Sequence, residues 1–508
     1  MAETGTGRTL SCIIAEKCHV DLTIKGAHLN KRILVANRGE IAIRLIRAIQ
    51  ELGFDAIAVY EKPDEMSRHI RIADEAILLG DGPRCDYLNI DKVIRAAKQA
   101  GAIAIHPGYG FLAENPFFAK ACEASGIIFV GPTSQIIADL GNKVVARRIM
   151  AEANIPMVPG TPNLAQGREG VTQALEFGSR YGYPIMLKAT SGGGGRGIRR
   201  IENDEEMIEQ IPVARAEALA AFNDDSVYLE KVVINPKHVE VQILADNTGK
   251  TIHLGTRDCS IQRRNQKLIE IAPSMIKNQP LLDEICETAV KAAKAANYLN
   301  AGTVEFLIDK DENYYFMEIN TRVQVEHTVT EMITGIDIVR NQLNIALGKN
   351  LSFDQEDVQI RGHAIEVRIN AEDPKNDFMP EGGKEVVVYR STGGFGVRLD
   401  GFVYQGYKIP EVYDSLLVKL TVHGFTWEET VGRLRRCLKN YAIRGPKTTI
   451  PFYENIAREK DFVNGDFDTS YIETHPHIFH YDEDPSEVAK LAKLIAEIQF
   501  YGENPYAK

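Results

Sequence analysis

With 508 residues, 44% of them hydrophobic, the chain has the length for two to four domains and a sizeable core. Its 70 acidic side chains against 59 basic ones leave a net charge of −11, no electrostatic basis for binding nucleic acid. No run approaches the roughly 18 apolar residues of a membrane helix, and the 7 scattered cysteines, without a CxxC pair, fit reduced core thiols, so a soluble cytoplasmic enzyme is expected.

Residues 1–30 read as a tail. Ser11-Cys-Ile-Ile-Ala15 is too short for a signal core, and Glu3, Glu16 and Asp21 argue against a transit peptide. Arg32 to Ala36 is a buried strand, followed by Asn37-Arg-Gly-Glu40 and a helix through Leu52 with Ile41, Leu45, Ile46 and Ile49 at helical spacing. Strand and helix then alternate as far as Ile127–Val130, which predicts an α/β, doubly wound parallel sheet. Ligands on such sheets bind at strand C-termini, where Asn37-Arg-Gly39 and His106 to Glu114 are loops. His106 reads as a loop-fixing histidine rather than a catalytic one. Lys143 stands at or near a helix start, where a cation opposes the dipole unless an anion neutralises it. That makes it a phosphate candidate, beside the plainer reading of a solvated helix lysine.

Residues 155 to 234 look like a separate lobe, entered through Pro159-Gly-Thr-Pro162. Inside it, a short buried strand ends at Lys188, followed by Ala-Thr-Ser-Gly-Gly-Gly-Gly-Arg-Gly197. Gly192 to Gly195 bury nothing; they offer bare N–H groups on a backbone able to fold over an anion. Gly192, Gly194 and Gly197 satisfy G-x-G-x-x-G, but Ile198–Ile201 is a strand and not the helix that motif needs. Gly249-Lys-Thr251 lacks the earlier glycine of a Walker A loop, since Leu244 stands there. A glycine loop between two strands, with lysine on the incoming one, is a flap that closes over a nucleotide. Ser226 to Ile234 is a strand whose Glu230 to Val233 segment is placed to grip adenine through main-chain groups. His238 to Leu244 alternates as a half-buried strand does, and Cys259 to Lys267 reads as a polar loop. Its Arg263, Arg264 and Lys267 are either anion-binding or solvated.

Ala301–Ile308 and Asn313–Asn320 form a hairpin. Glu318 and Asn320 share one face, and Glu305 joins them if it points the same way. Two glutamates and an amide suit Mg2+ or Mn2+, which completes its shell with water and phosphate oxygens. If Thr321–His327 stays extended, Arg322, Gln324 and Glu326 continue that face as cation, amide and base, an order suited to a small oxyanion beside a γ-phosphate. Arg361 to Asn370 is a further strand with Glu366, Arg368 and Asn370 on one face. Arg368 is a second candidate guanidinium. Glu487 to Ile498 is an amphipathic helix that packs on its own domain or docks a partner.

Taken together, these stretches resemble the biotin carboxylases of the ATP-grasp superfamily. The resemblance rests on Ile33–Arg44, His106–Ala119, Leu187–Ile198, Asn235–Gln242, Arg257–Lys267, Asn300–Phe306, Met317–Gly335 and Ile365–Pro374, and covers residues 31 to about 475. It implies an ATP-grasp fold of mixed α/β and α+β character. After a tail (1–30) come a parallel-sheet domain (31–143), an ATP-grasp domain (144–355) with a mobile lid (about 155–234), a mixed-sheet domain (356–475) and a C-terminal helix and tail (476–508). It implies that Lys143, Lys188, Gly194 and Gly195 hold ATP phosphates and that Glu230, Lys231 and Val233 meet adenine. His238, Gln262 and Asn265 would lie near the ribose, Asn265 standing where many members have histidine, with Leu307 in the same site. Glu305, Glu318 and Asn320 would carry the metals. Lys267, Arg322, Gln324 and the Val325 amide would bind bicarbonate, with Glu326 as its base and Arg368 stabilising the biotin enolate. The activity implied is carboxylation of biotin by ATP and bicarbonate through carboxyphosphate. With no Met-Lys-Met attachment site in the sequence, biotin is expected on a separate carrier or carboxyltransferase chain. Arg444-Gly-Pro-Lys-Thr-Thr-Ile-Pro-Phe452 is similar to the separate subunits of two-subunit pyruvate carboxylases. Acetyl-CoA, propionyl-CoA and 2-oxoglutarate systems share the half-reaction, and the family implies a homodimer. Another ATP-grasp ligase and an inactive nucleotide-sensing module are the competing readings.

Overall fold

The structure is a computed structural model that describes residues 31–82, 86–191, 197–481 and 495–496. The expected tail (1–30), the flap residues 192–196, with Gly194 and Gly195 among them, and most of the expected C-terminal helix lie outside the described residues. Strands β1 (Arg32–Val35), β2 (Asp55–Glu61), β3 (Glu75–Gly80), β4 (Ala104–His106) and β5 (Ile128–Phe129) form one parallel sheet in the order β3-β2-β1-β4-β5. Ile33, Leu34 and Val35 are fully buried, as an apolar run covered on both faces should be. The helix Gly39–Glu51 turns Ile41, Leu45, Ile46 and Ile49 inward. Asn37 ties the two predicted ligand loops together, its Nδ2 donating to the Pro107 and Tyr109 carbonyls at 2.7 Å each. His106 is buried, and burial pushes its imidazole down to about 3. Its Nδ1 accepts from the Gly108 N–H at 3.1 Å, a loop-fixing role.

A second unit contains β6 (Ile185–Ala189), β7 (Ile198–Ile201) and β8 (Val227–Lys231), antiparallel in the order β7-β6-β8. Its core joins Ile185, Leu187 and Leu229 to Phe177 and Met207 of its two helices. The flap residues thus connect two paired strands, as the sequence predicts. β8 stops at Lys231, short of Ile234. Its last partner is Ile185, and the residue before that is Pro184, which has no N–H to continue the ladder.

The site stands on an eight-stranded antiparallel sheet. It comprises β9 (Lys237–Ala245), β10 (Thr251–Arg263), β11 (Gln266–Ala272), β12 (Asn300–Ile308), β13 (Tyr314–Asn320), β14 (His363–Asn370), β18 (Val397–Gly401) and β19 (Leu416–Gly424). The order is β13-β12-β9-β10-β11-β14-β19-β18. The short strands β15 (Glu372–Asp373) with β16 (Met379–Pro380), and β17 (Val388–Arg390) with β20 (Ala442–Arg444), pair outside it. The helix Trp427–Asn440 and the segment around Phe452 close an apolar core with Ile365, Val367, Leu420 and Val422.

Three local expectations are corrected here. Cys259 to Lys267 is a hairpin tip, not a loop: only Arg264 and Asn265 turn, both left-handed with φ of 50° and 63°. That is the two-residue turn that matches strand twist. Arg263 and Arg264 both reach Asp377 and are not an anion site, with Arg264 Nη2 3.1 Å from Oδ2. β9 is buried on both faces, not half-buried: Arg257 and Lys267 cover Glu240 and Gln242, and Thr330 of the helix His327–Thr334 accepts from Arg257 in turn. The chain after Asn320 does not stay extended; it turns irregularly through residues 321–326 into that helix.

The parallel sheet docks on the C-terminal strands through Arg38. Its guanidinium pairs with Asp64 at 2.6 and 2.8 Å and lies 3.9 Å from the Tyr413 ring centroid. Both partners of the ion pair are buried. No helix among the described residues is long and apolar enough to cross a membrane. Arg38→Ala leaves the Asp64 carboxylate buried without its cation, and the expected loss is about 3–5 kcal/mol in a denaturant titration. An unchanged midpoint would show that this buried pair does not stabilise the fold.

Candidate active site

The register of the sheet lines up its charges. Glu318 lies opposite Glu305, Glu305 opposite Glu240 and Glu240 opposite Arg257, across β13, β12, β9 and β10. On the other half, Glu270 of β11 lies opposite Glu366 of β14, and Arg368 opposite Lys419 of β19. Side chains directly opposite in an antiparallel pair share a face. The helix His327–Thr334 meets part of this polar row, Thr330 at Arg257 and Thr328 at Glu366, beside an apolar contact of Val329 and Ile333 with Ala272 and Ala364.

Lys267 is the centre of the row. Its Nζ donates to Glu240 Oε2 at 2.6 Å, Glu305 Oε1 at 2.9 Å and Glu326 Oε1 at 2.8 Å. Burial disfavours the ammonium, but these three carboxylates outweigh it and hold the lysine well above its usual range. Arg257, fully buried, pairs with Glu240 and donates to Gln242, Thr303 and Thr330. Glu326 is held between Lys267 and Arg368, whose Nη2 is 3.1 Å from its second oxygen. Burial raises its carboxyl, yet Lys267 and Arg368 win and set it well below the carboxylate range. Arg368 also pairs with Glu270, and its main-chain carbonyl accepts from Thr449 and Tyr453.

Residues 321–326 reach the cluster by turning. Arg322 donates to Glu114 at 2.9 Å, Gln324 at 2.9 Å and Asn320 at 3.2 Å. Gln324 Nε2 and Asn320 Nδ2 both donate to Glu305 Oε1, and His238 to its other oxygen at 2.8 Å. Burial opposes the Glu305 anion, but Lys267 and His238 hold its carboxyl below the usual range. Facing it, Glu318 opens onto the cleft and makes no hydrogen bond among the described residues. Desolvation and the Glu305 charge push its carboxyl up, with Lys143 drawing it down in part. Two facing carboxylates, one ionised and one resisting ionisation for want of a cation, with the Asn320 amide beside them, fit a hard divalent ion. His238, Glu240 and Glu305 also set ligand atoms within 4.8 Å of one another. There the positive charge is already supplied by Lys267.

The remaining candidates lie along the same cleft. Lys143 is the first residue of the helix Lys143–Glu152, capped by Asn142. Lys188 pairs with Glu230, which also accepts from Arg147 at 2.7 Å. The Lys231 ammonium turns away to the Gly182 carbonyl at 3.0 Å, and its amide is spent on Pro159. The Val233 amide, just past the end of β8, has no partner among the described residues. Leu307 lies opposite His238, and Gln262 opposite Lys267. Asn265 is exposed at the hairpin tip. Asn370, beyond a register shift in the pairing with β19, donates to Glu372. Sequence reasoning missed Glu240, Arg257, Glu270 and Glu114. Glu240 alternates with the predicted His238, but only the strand register reveals its pairing with Arg257; Glu114 acts on a residue 208 positions away.

Known families match in succession along the chain. They are the biotin carboxylase N-terminal domain over residues 29–137, the ATP-binding domain of the carbamoyl-phosphate synthase L chain over 142–353, and the biotin carboxylase C-terminal domain over 366–474. The 2-oxoglutarate carboxylase small subunit of Hydrogenobacter thermophilus is 48% identical over 471 residues, which span 93% of this chain and 99% of that protein. The pyruvate carboxylase of Bacillus subtilis is 49% identical over 481 residues, but the chain spans only 42% of its length. A crystal structure of the Hydrogenobacter thermophilus 2-oxoglutarate carboxylase biotin carboxylase domain dimer, with MgADP, ADP and bicarbonate, superposes with a TM-score of 0.85 at 48% identity. The match covers 89% of this chain and 99% of that one.

The buried row has a consequence for stability. Burial pushes the Glu366 carboxyl up to about 8, against a pull downward from Lys419. Below its ordinary value of 4.5 it is protonated folded or unfolded; between about 4.5 and 8 only the folded chain keeps the proton. Stability from this group therefore falls as pH rises through that window. In Glu366→Gln the slope is removed, so the melting temperature relative to wild type should climb steadily between pH 5.5 and 8.5. A pH-independent difference would contradict the shift.

Proposed function

From a chain that belongs to the biotin carboxylases, a family of ATP-dependent ligases, we propose a subunit that carboxylates biotin on a carrier protein with ATP and bicarbonate. The observation that carries this reading is the Glu326 carboxylate, buried and ionised between Lys267 and Arg368, one contact away from the Glu305–Glu318 pair.

Glu305, Glu318 and Asn320 would hold Mg2+ or Mn2+, which supplies positive charge to the phosphates when bound. Lys143 and Lys188, with the flap amides of Gly194 and Gly195, neutralise the remaining phosphate charge. In this structure Lys188 rests on Glu230, so a nucleotide exchanges one anionic partner for another. Main-chain groups from Lys231 to Val233 meet adenine, the Val233 amide being free to donate. His238, Gln262, Asn265 and Leu307 flank the ribose.

Arg322, Lys267, Gln324 and the Val325 amide grip bicarbonate. Glu326 accepts its proton as the bicarbonate oxygen attacks the terminal phosphoryl group. A carboxylate held this low is a weak standing base. What it offers is a permanent acceptor, so proton transfer is completed along with phosphoryl transfer and not before it. The flap shields the carboxyphosphate from water. On the far side of Glu326, Arg368 stabilises the enolate of biotin's ureido group, so one carboxylate stands between the two half-sites.

The acceptor system we propose is pyruvate, on the 49% identity to a pyruvate carboxylase and on Arg444–Phe452. The equal likeness to a 2-oxoglutarate carboxylase subunit makes that the alternative. The biotin arrives on a carboxyltransferase or carrier chain, the working unit is a homodimer in the cytoplasm, and the dimeric neighbour supports that assembly.

Bicarbonate-dependent ATP hydrolysis, stimulated by free biotin, is the direct test; hydrolysis driven by another carboxylic acid instead would point to a different ligase. Glu326→Gln should keep ATP binding and lose about 10²–10⁴-fold of this turnover, and near-normal turnover would remove it as the base. Glu318→Gln should raise the Mg2+ concentration for half-maximal rate at least about tenfold, with an unchanged Mg2+ dependence counting against it as a ligand. Pyruvate against 2-oxoglutarate is settled by which biotinylated chain co-purifies and which oxo acid it then carboxylates.

A further inference from the structure

Lys419, on β19, is completely buried and lies directly opposite Arg368 on β14. Its ammonium does not reach the carboxylate cluster. Nζ donates to the Val325 main-chain carbonyl at 2.8 Å and stands 3.2 Å from Glu40 Oε2, with the Tyr109 ring centroid at 5.8 Å. The Tyr109 hydroxyl donates to the other oxygen of Glu40. Two cations on neighbouring strands therefore hold consecutive residues of one turn, Lys419 by the Val325 backbone and Arg368 by the Glu326 side chain.

The turn needs such a hold. Residues 321–326 belong to no strand or helix, so no ladder fixes their peptide planes. The Gln324 carbonyl accepts from His327 Nδ1 at 2.8 Å and the Glu326 carbonyl from the Val329 amide at 3.3 Å, both from the helix that follows. The Val325 carbonyl between them is held from a different strand, by a charged donor. Fixing that oxygen fixes the plane of the peptide joining Val325 to Glu326. It thereby sets the direction in which the Glu326 side chain leaves the backbone, while the Val325 N–H belongs to the preceding peptide, whose Gln324 oxygen His327 holds.

We propose that Lys419 is a positioning residue for the bicarbonate step, holding the Val325–Glu326 peptide so that the Glu326 base faces the small anion bound at the turn. This rests on the assignment of bicarbonate to the turn made above. The plainer alternative is that Lys419 only neutralises the buried Glu40 carboxylate. The two differ in what happens when that charge is removed together with the lysine. Glu40 touches no proposed substrate atom, and Glu40→Gln alone leaves the Lys419 to Val325 contact in place.

The experiment compares wild type, Glu40→Gln and the double variant Glu40→Gln/Lys419→Met in bicarbonate-dependent ATP hydrolysis, measuring KM for bicarbonate and for ATP separately. Glu40→Gln should match wild type. The double variant should lose about 10- to 100-fold in kcat/KM for bicarbonate, as a displaced reacting group does, with KM for ATP within about twofold of wild type. A folded double variant with wild-type bicarbonate kinetics overturns the proposal, as does one in which both KM values rise together. If the double variant does not fold, Lys419→Gln is read by the same two parameters. A fall in kcat/KM for bicarbonate with KM for ATP unchanged supports the role, and any other pattern overturns it. Wild type without bicarbonate-dependent hydrolysis would instead defeat the proposed function, so the two failures are told apart.

Discussion

Lys267 brings one buried ammonium to Glu240, Glu305 and Glu326, three carboxylates contributed by β9, β12 and the turn before the helix His327–Thr334. Taking each of these ions out of water costs several kcal/mol. A single contact near 4 Å returns about 4 kcal/mol at an effective dielectric near 20. No pair breaks even comfortably alone; the set does, because Lys267 serves three anions and Arg257 serves Glu240 as well. Removing any one member strands the others in a place water does not reach. The strands that carry them are consequently fixed in register by charge as firmly as by the apolar core on the opposite face.

That balance also shapes what the site accepts. Every cation near the turn already has a resident partner: Arg322 has Glu114, Arg368 has Glu270 and Glu326, and Lys188 has Glu230. A lone small anion gains little by replacing a carboxylate with itself. Binding becomes favourable when it also offers a proton to Glu326 or shares its charge with a phosphate and a divalent ion. The acidic pair Glu305 and Glu318 works in the same sense, since it leaves room for a polyphosphate only if a cation comes with it. On the proposed function, selectivity for a composite of nucleotide, metal and one-carbon acid would follow from a cluster whose cations already have partners.

Much of this was legible in the sequence, and the reasons it failed where it did are physical. The hairpin carrying Glu305, Glu318 and Asn320 shows because strand alternation fixes side-chain facing without any knowledge of partners. The parallel sheet shows because runs such as Ile33–Val35 have no polar face. Cys259 to Lys267 was misread because it includes the exposed tip of a long hairpin, where Arg263 and Arg264 reach Asp377 and only Lys267 turns into the buried charge cluster, so a paired strand carries the polar pattern of a loop. The extended reading of residues 321–326 placed the right side chains together by the wrong path. A turn held by Lys419 and by His327 converges them as well as a strand would. Glu114 and Glu270 left no local trace, since their partners are set by the meeting of segments far apart in the chain.

The same contacts argue that the three regions of the chain form one working unit and not a catalytic core with accessories. Glu114 and Glu40 come from the parallel-sheet region, the turn from the central strands, and Arg368 and Lys419 from strands beyond residue 362. Because β14 and β19 continue the sheet that carries Glu305, the angle between Arg368 and Lys267 is set by backbone ladders and not by a flexible domain interface. The lobe holding β6 to β8, like the parallel sheet β1 to β5, lies outside that continuous sheet, and it carries Lys188 and Glu230. On the proposed function, a floor fixed by backbone ladders for the anion chemistry and a separate cover for the nucleotide would suit a short-lived acyl phosphate, since such a cover has to open for exchange while the floor has to hold its geometry throughout.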